Sequence, residues 1–445
     1  MRKKIVAVLL VALLTIVPVT GLQAQSKETL NVWSFTDEVP GMIEVFMEEH
    51  PEYSDKYDLN ITIIATTDGA YQPAIDQALM SGGADAPDIY AAEAAFVMKY
   101  TQGEASHFAM PYADLGIDVD AKIEEAGIAQ YSVDIGTNPD GNVVGLGFQA
   151  TGGALIYRRS IAMDVWGTDD PAEVEEKIGP GWDKFYEAAH EMKDSGYSML
   201  SSTGDIWHVI ENSSEQPWVV DGELVIDEKR ESYLDHAKRL YDEELMNDTT
   251  SWEEGWFADM KGEGEREVFA FFGPAWLINY VMASNSGGSA VGEGTYGDWA
   301  VCNAPEGFFW GGTWILANKD TTKTDVAKDL IEWITLDTSE EGLQYRWANG
   351  TFAEDSAKDS VASATVMEKS NGELDFLGDQ DMFEVFVPAN EFANGKNLTP
   401  YDELINSYWQ DQVNTYKIGE KSREQAIDDF KQMVEDNLDI VVNWD

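Results

Sequence analysis

Apolar positions along the chain alternate between two spacings. Leu30 to Phe35 is a short apolar run, after which Val39, Met42, Ile43, Phe46 and Met47 recur at helical spacing until Pro51. A strand followed by an amphipathic helix is expected there. The cycle repeats: Asn60 to Ala65 is rich in β-branched residues, Pro73 to Met80 has helical spacing, Ser81-Gly82-Gly83 breaks it, and Pro87 to Ala91 reads as a buried strand. This alternation predicts an α/β lobe on a mainly parallel sheet flanked by helices. Asn142 to Phe148 and Gly153 to Tyr157 add two extended segments around Gly152-Gly153, where the chain could cross into a second lobe.

Beyond that point Trp182, Phe185, Tyr186, Ala189 and Met192 mark a helix that ends at Ser195-Gly196, and Tyr233 to Leu245 reads as another. Val268 to Phe272, Trp299 to Cys302 and Thr313 to Ala317 read as strands, and Ala327, Leu330, Ile331 and Ile334 form one helix face. Pro305 to Gly311 is a second place for a crossing. Near the C-terminus, Ser422 and Gln425 have the spacing of a capping box ahead of Ile427, Phe430, Val434 and Leu438.

The first residues have a different character. Arg2, Lys3 and Lys4 precede an apolar run from Ile5 to Val17, then Pro18 and the small residues up to Ala24. Residues 1–24 are therefore expected to be a secretory signal, too short for the roughly 20 apolar residues of a spanning helix. Cleavage is expected near Ala24, and with no cysteine near the cut no lipid anchor is expected. Export to the periplasm or the medium follows.

Composition narrows the picture. The 445 residues are 44% hydrophobic, enough for a large core, and single cores stop growing near ~250 to 300 residues, so two lobes are the simplest arrangement. The 82 acidic and 29 basic residues leave a net charge of -53, which argues against nucleic-acid partners because it repels phosphate backbones. Such acidity fits a salty habitat or simply an acidic secreted protein. Cys302 is the only cysteine, so no intramolecular disulfide can form. One cysteine with five scattered histidines offers neither a zinc set nor a Cys/His nucleophile pair. No metal or cofactor is expected.

Several segments in order resemble the family 1 extracellular solute-binding proteins of ABC importers, in the sugar-binding branch that includes the maltose-binding protein. They are Leu30 to Phe35 with its following helix, Ala86-Pro87-Asp88-Ile89-Tyr90, Gly153-Ala154-Leu155-Ile156-Tyr157 with Arg158, Gly181-Trp182-Asp183-Lys184-Phe185, Gly273 with Trp276, and Gly311-Gly312. Gly181 departs from the pattern, since the family usually carries Thr or Ser there. The resemblance implies a two-lobed Venus-flytrap fold that closes by a hinge motion over a ligand in the cleft. Its chain path implies an N-terminal lobe of residues 25–150 plus 310–355 and a C-terminal lobe of 151–309 plus 356–445. It also implies a carbohydrate ligand, a membrane permease as partner, a monomer and no catalysis.

Candidate ligand contacts follow from both sources. Fifteen tryptophans are many, and Trp33, Trp207, Trp276, Trp310 and Trp314 lie beside loops, where flat rings could stack on the C–H face of a sugar. Trp276 and Trp310 match cleft positions of the resembled family, whereas Trp182 and Trp333 sit on helix faces and read as core. Asp37 follows the first strand, and Glu93, with Ala94 as the adjacent alternative, follows the Pro87 to Ala91 strand where relatives hold a sugar-binding carboxylate. Gln149 and Thr151 lie at the first crossing. Two other readings stay open on sequence: a cationic solute such as a polyamine, held by aromatic walls and carboxylates, and a secreted glycoside hydrolase using paired carboxylates.

Overall fold

The computed structural model describes residues 27–66, 69–353 and 356–444; the expected secretory signal lies outside these. Strands β1 (Glu28–Ser34), β2 (Tyr57–Ile63), β3 (Ile89–Glu93) and β4 (Gly145–Gly147) belong to one sheet, β5 (Ala154–Arg158), β6 (Ala270–Gly273) and β7 (Trp299–Cys302) form another, and β8 (Thr313–Ala317) returns to the first. The first sheet runs β2-β1-β3-β8-β4 and the second β6-β5-β7.

Chain direction departs from the expected parallel sheets. β1 pairs in parallel with β2 and β3, but β8 runs antiparallel to both β3 and β4, and β5 runs antiparallel to both β6 and β7. The reason is topological. Parallel neighbours need a crossover, usually a helix, and β5 and β8 each arrive straight from the other sheet without one. Their apolar runs still bury completely, because helices cover both faces of each sheet.

Helix α1 (Glu38–Glu49) places Val39, Met42, Ile43, Phe46 and Met47 on one buried face, and α2 (Tyr71–Ser81) buries Tyr71, Ile75 and Leu79. Around the second sheet pack α3 (Trp182–Asp194), α4 (Trp207–Asn212), α5 (Glu228–Asp242), then, past β8 and the first-lobe helix α6 (Thr324–Thr335), α7 (Asp402–Lys417) and α8 (Arg423–Asn437). Helix α3 begins directly after Gly181 with no side-chain cap, and Trp182 and Trp333 pack against the cores as expected. The capping box of α8 is formed on both sides: the Gln425 N–H donates to Ser422 Oγ (3.2 Å) and the Ser422 N–H to Gln425 Oε1 (3.0 Å).

Two chain crossings lie side by side. The Gly153 N–H donates to the Phe308 carbonyl (2.8 Å) and the Trp310 N–H to the Thr151 carbonyl (3.1 Å), so residues 151–153 and 308–310 form a short antiparallel ladder between the sheets. Gly153 is needed for this approach: a Cβ there would lie 2.0 Å from Phe308 Cζ.

Candidate functional site

A cavity of about 170 Å³ lies between the two lobes beside this ladder. The first lobe contributes Glu93, at the carboxyl end of β3, together with Ala94, Ala95 and Met98; ligands of open α/β sheets gather at such strand ends. The second lobe contributes His208, Glu211 and Asn212 from α4 and Asp402, Glu403 and Asn406 from α7, while Phe309, Trp310 and Gly311 of the second crossing form a wall.

The two helices bring their polar residues to the cavity in different ways. In α4, Trp207, Val209 and Ile210 turn into the core, which leaves His208, Glu211 and Asn212, at i, i+3 and i+4, on the face toward the cavity. In α7, Asp402 begins the buried stripe that continues through Ile405, Trp409 and Val413, so its carboxyl enters the cavity from the buried first turn, and Glu403 and Asn406 lie beside it on the flank of that stripe. The Asn406 amide joins the helices by donating to Glu211 Oε1 and accepting from Trp218 Nε1 (2.7 Å). Asn212 ties α4 to the crossing: its Oδ1 accepts from the Phe309 N–H at 3.2 Å.

Trp310 is half-buried, its ring stacked on His208 with centroids 4.8 Å apart and planes 23° apart. Trp276 donates its indole N–H to the Trp310 carbonyl (2.9 Å) and meets the Trp310 ring edge-on at 4.9 Å. Gly311, at φ +74°, lets the crossing run over Trp276, whose Nε1 would be 3.4 Å from a Cβ. Trp252, 47% exposed, lies nearly parallel to Trp276 at 6.2 Å.

Charge in the cavity is uneven. Burial pushes the Glu93 carboxyl up to about 7, the charge of Glu403 adds to this, and the Ala95 N–H donating at 2.8 Å opposes it. Burial likewise pushes Asp402 up to about 7 against the Thr399 hydroxyl and the charge of Arg230. Glu211 would also rise through burial, but the hydrogen bond and charge of His208, the charge of Arg230 and the Asn406 amide hold it below its ordinary value.

Of the residues singled out from sequence, Glu93 and Trp310 line the cavity and Trp276 supports its wall. Thr151 is enclosed in the crossing, its hydroxyl donating to the Gly311 carbonyl (2.9 Å) and its N–H to Tyr131 Oη (2.6 Å), and Gln149 is buried beside it. Trp33 is partly buried against the first-lobe core, and Asp37 is exposed just ahead of α1. Trp207 and Trp314 require correction: the Trp207 ring is 3% exposed and packs on Tyr233 inside the second lobe, because α4 turns this residue inward and its neighbour His208 outward, and Trp314 lies within β8, buried in the first-lobe core with its indole N–H donating to the Ser132 carbonyl. His208, one of five histidines that suggest no site in the sequence, and the α7 residues were missed; the i, i+4, i+8 run of Ile405, Trp409 and Val413 after Pro400 was the available signal for α7.

Fold and cavity together define a two-lobed protein with a cavity at the lobe interface. The chain belongs to the family described as bacterial extracellular solute-binding protein, which matches residues 33–341. Similar solved structures include an extracellular solute-binding protein of family 1 (TM-score 0.73, 19% identity, covering 92% of this chain and 99% of that one). They also include the galacto-N-biose/lacto-N-biose I-binding protein of Bifidobacterium longum in complex with lacto-N-biose (0.68, 14%, 94% and 100%). The sugar-binding protein MalE of Xanthomonas citri is a third (0.69, 14%, 92% and 96%). No curated protein sequence matches. No described helix is long and apolar enough to cross a membrane.

Proposed function

We propose that this chain is the exported receptor of an ABC importer, which captures a mono- or oligosaccharide between its lobes and presents it to a membrane permease. The observation that carries this reading is the cavity itself: one face of an aromatic ring, Trp310, surrounded by carboxyl and amide groups from both lobes. A pyranose offers an apolar C–H face and a rim of hydroxyls, which is the complement of such a lining. The enclosed volume, about 170 Å³, is below the ~300 to 1,000 Å³ of common ligand sites and suits a single sugar ring; a longer ligand requires the cleft to open along the Trp276 and Trp252 side. The contacts we assign are Glu93, Trp310, His208, Glu211, Asn212, Glu403 and Asn406.

Gentle purification followed by mass spectrometry of the retained ligand tests this reading, with the recovered compound then titrated by tryptophan fluorescence. A carbohydrate that binds stoichiometrically is expected. Multiple-turnover release of reducing ends from glycans would replace the receptor by a hydrolase.

A further inference from the structure

The cavity lining holds four carboxyl side chains, Glu93 from the first lobe and Glu211, Asp402 and Glu403 from the second, and no lysine or arginine. Two basic side chains bear on them. His208 is engaged with Glu211 at 3.2 Å. Arg230 is fully buried behind the wall, where its guanidinium lies over Trp218 at 4.6 Å and donates to the Gln216 carbonyl at 2.6 Å. His208 acts on Glu211, and the charge of Arg230 acts on both Asp402 and Glu211, which leaves Glu93 and Glu403 facing each other across the lobes with no cation between them among the described residues. Glu403 Oε2 accepts from the Gln72 amide of α2 at 2.7 Å, a neutral contact.

A second observation points to a missing partner. Asp402 is 5% exposed, and while its Oδ1 accepts from the Thr399 hydroxyl, its Oδ2 has no hydrogen-bond partner. A buried carboxylate oxygen without a donor is costly. Lobe closure also gathers like charges, which costs Coulomb energy that a bound cation would reverse. The Trp310 ring can receive both the C–H face of a sugar and a neighbouring ammonium group.

We propose that the ligand carries a protonated amine, making it an amino sugar whose ammonium group lies among Glu93, Asp402 and Glu403 while its ring stacks on Trp310. This rests on the sugar-receptor reading and adds the amine. The ammonium then acts as the electrostatic link between the lobes, so capture and closure are coupled through one group.

Calorimetric titration at neutral pH with D-glucosamine and D-galactosamine, their N-acetyl derivatives and the parent hexoses tests the proposal. At least one free amine is expected to bind about tenfold or more tightly than both of its neutral counterparts. Glu403→Gln and Glu93→Gln, which keep shape and remove charge, should erase that preference with melting temperatures unchanged. Neutral sugars binding as well as the amines, failure of every amino sugar to bind, or spermidine binding more tightly than each amino sugar would overturn it. A neutral sugar recovered with the purified protein would overturn the amine alone and leave the receptor standing; recovery of a ligand that is not a carbohydrate would remove both.

Discussion

Trp207 and Trp310 carry the same side chain and lie close to the same helix, yet they answer to different forces. The Trp207 ring is enclosed among apolar neighbours, so Trp207→Ala should cost ~3 to 5 kcal/mol of stability through lost burial and the cavity left behind. Trp310 exposes part of its ring to the cleft and stacks its other face on His208. Trp310→Ala should therefore weaken sugar binding by at least about tenfold, in the range of ~1 to 3 kcal/mol found for aromatic stacking platforms, and melt well above Trp207→Ala. Thermal melts paired with ligand titration check this; a Trp310 variant that unfolds as early as the Trp207 variant but binds normally would make its ring core.

The crossings show how secondary elements set the site. Residues 151–153 and 308–310 pair as a two-stranded ladder, and the cavity wall of Phe309, Trp310 and Gly311 is the continuation of one of its strands. Any distortion of the ladder must move Trp310. Gly153→Ala would press a methyl group into the Phe308 ring, which is 1% exposed and cannot swing away freely. Overpacking of this kind typically costs ~1 to 3 kcal/mol, and the variant should both melt lower and bind more weakly. Loss of stability with wild-type affinity would show that the ladder does not position the wall.

For the molecule as a whole, two lobes joined by narrow crossings imply a hinge. Cognate ligand should reduce the radius of gyration in small-angle scattering and change tryptophan fluorescence; saturation with neither change would contradict closure. Proton linkage gives a further expectation. Burial pushes Asp359 and Asp402 up to about 7, against ~3.9 in an unfolded chain. The folded state thus binds more protons than the unfolded state between about pH 4 and 7, and stability falls as pH rises through that window. Burial holds His236 down at about 4, which works in the opposite sense below about pH 6.5. The gain is clearest on going from about pH 8 to about pH 6.5, where the melting temperature should rise. Asp359→Asn and Asp402→Asn should flatten this rise, and an unchanged slope in both would refute the assignment. Added salt should raise the melting temperature too, since a net charge of -53 repels itself and the Debye length shrinks from ~8 Å at physiological ionic strength to ~3 Å at 1 M.

Most of the fold was legible along the chain because it rests on local periodicity. The apolar face of α1, the run Thr313 to Ala317 and the Ser422/Gln425 capping box all reappear where spacing put them, since each depends only on residues within a few positions. Glu93 was legible as the residue that follows a buried strand, and Trp310 as a ring beside a crossing. Strand direction was not, because whether β5 and β8 run parallel depends on where the preceding segment comes from, and neither run carries that information. The polar cavity residues of α4 and α7 were also hidden: His208 looks like a solvated helix residue until the core claims Trp207 and turns its neighbour toward the cleft, and Asp402 looks solvated although it begins the buried stripe of its own helix. The site belongs to two lobes that meet from distant parts of the chain, so its charge balance exists only once they are folded together.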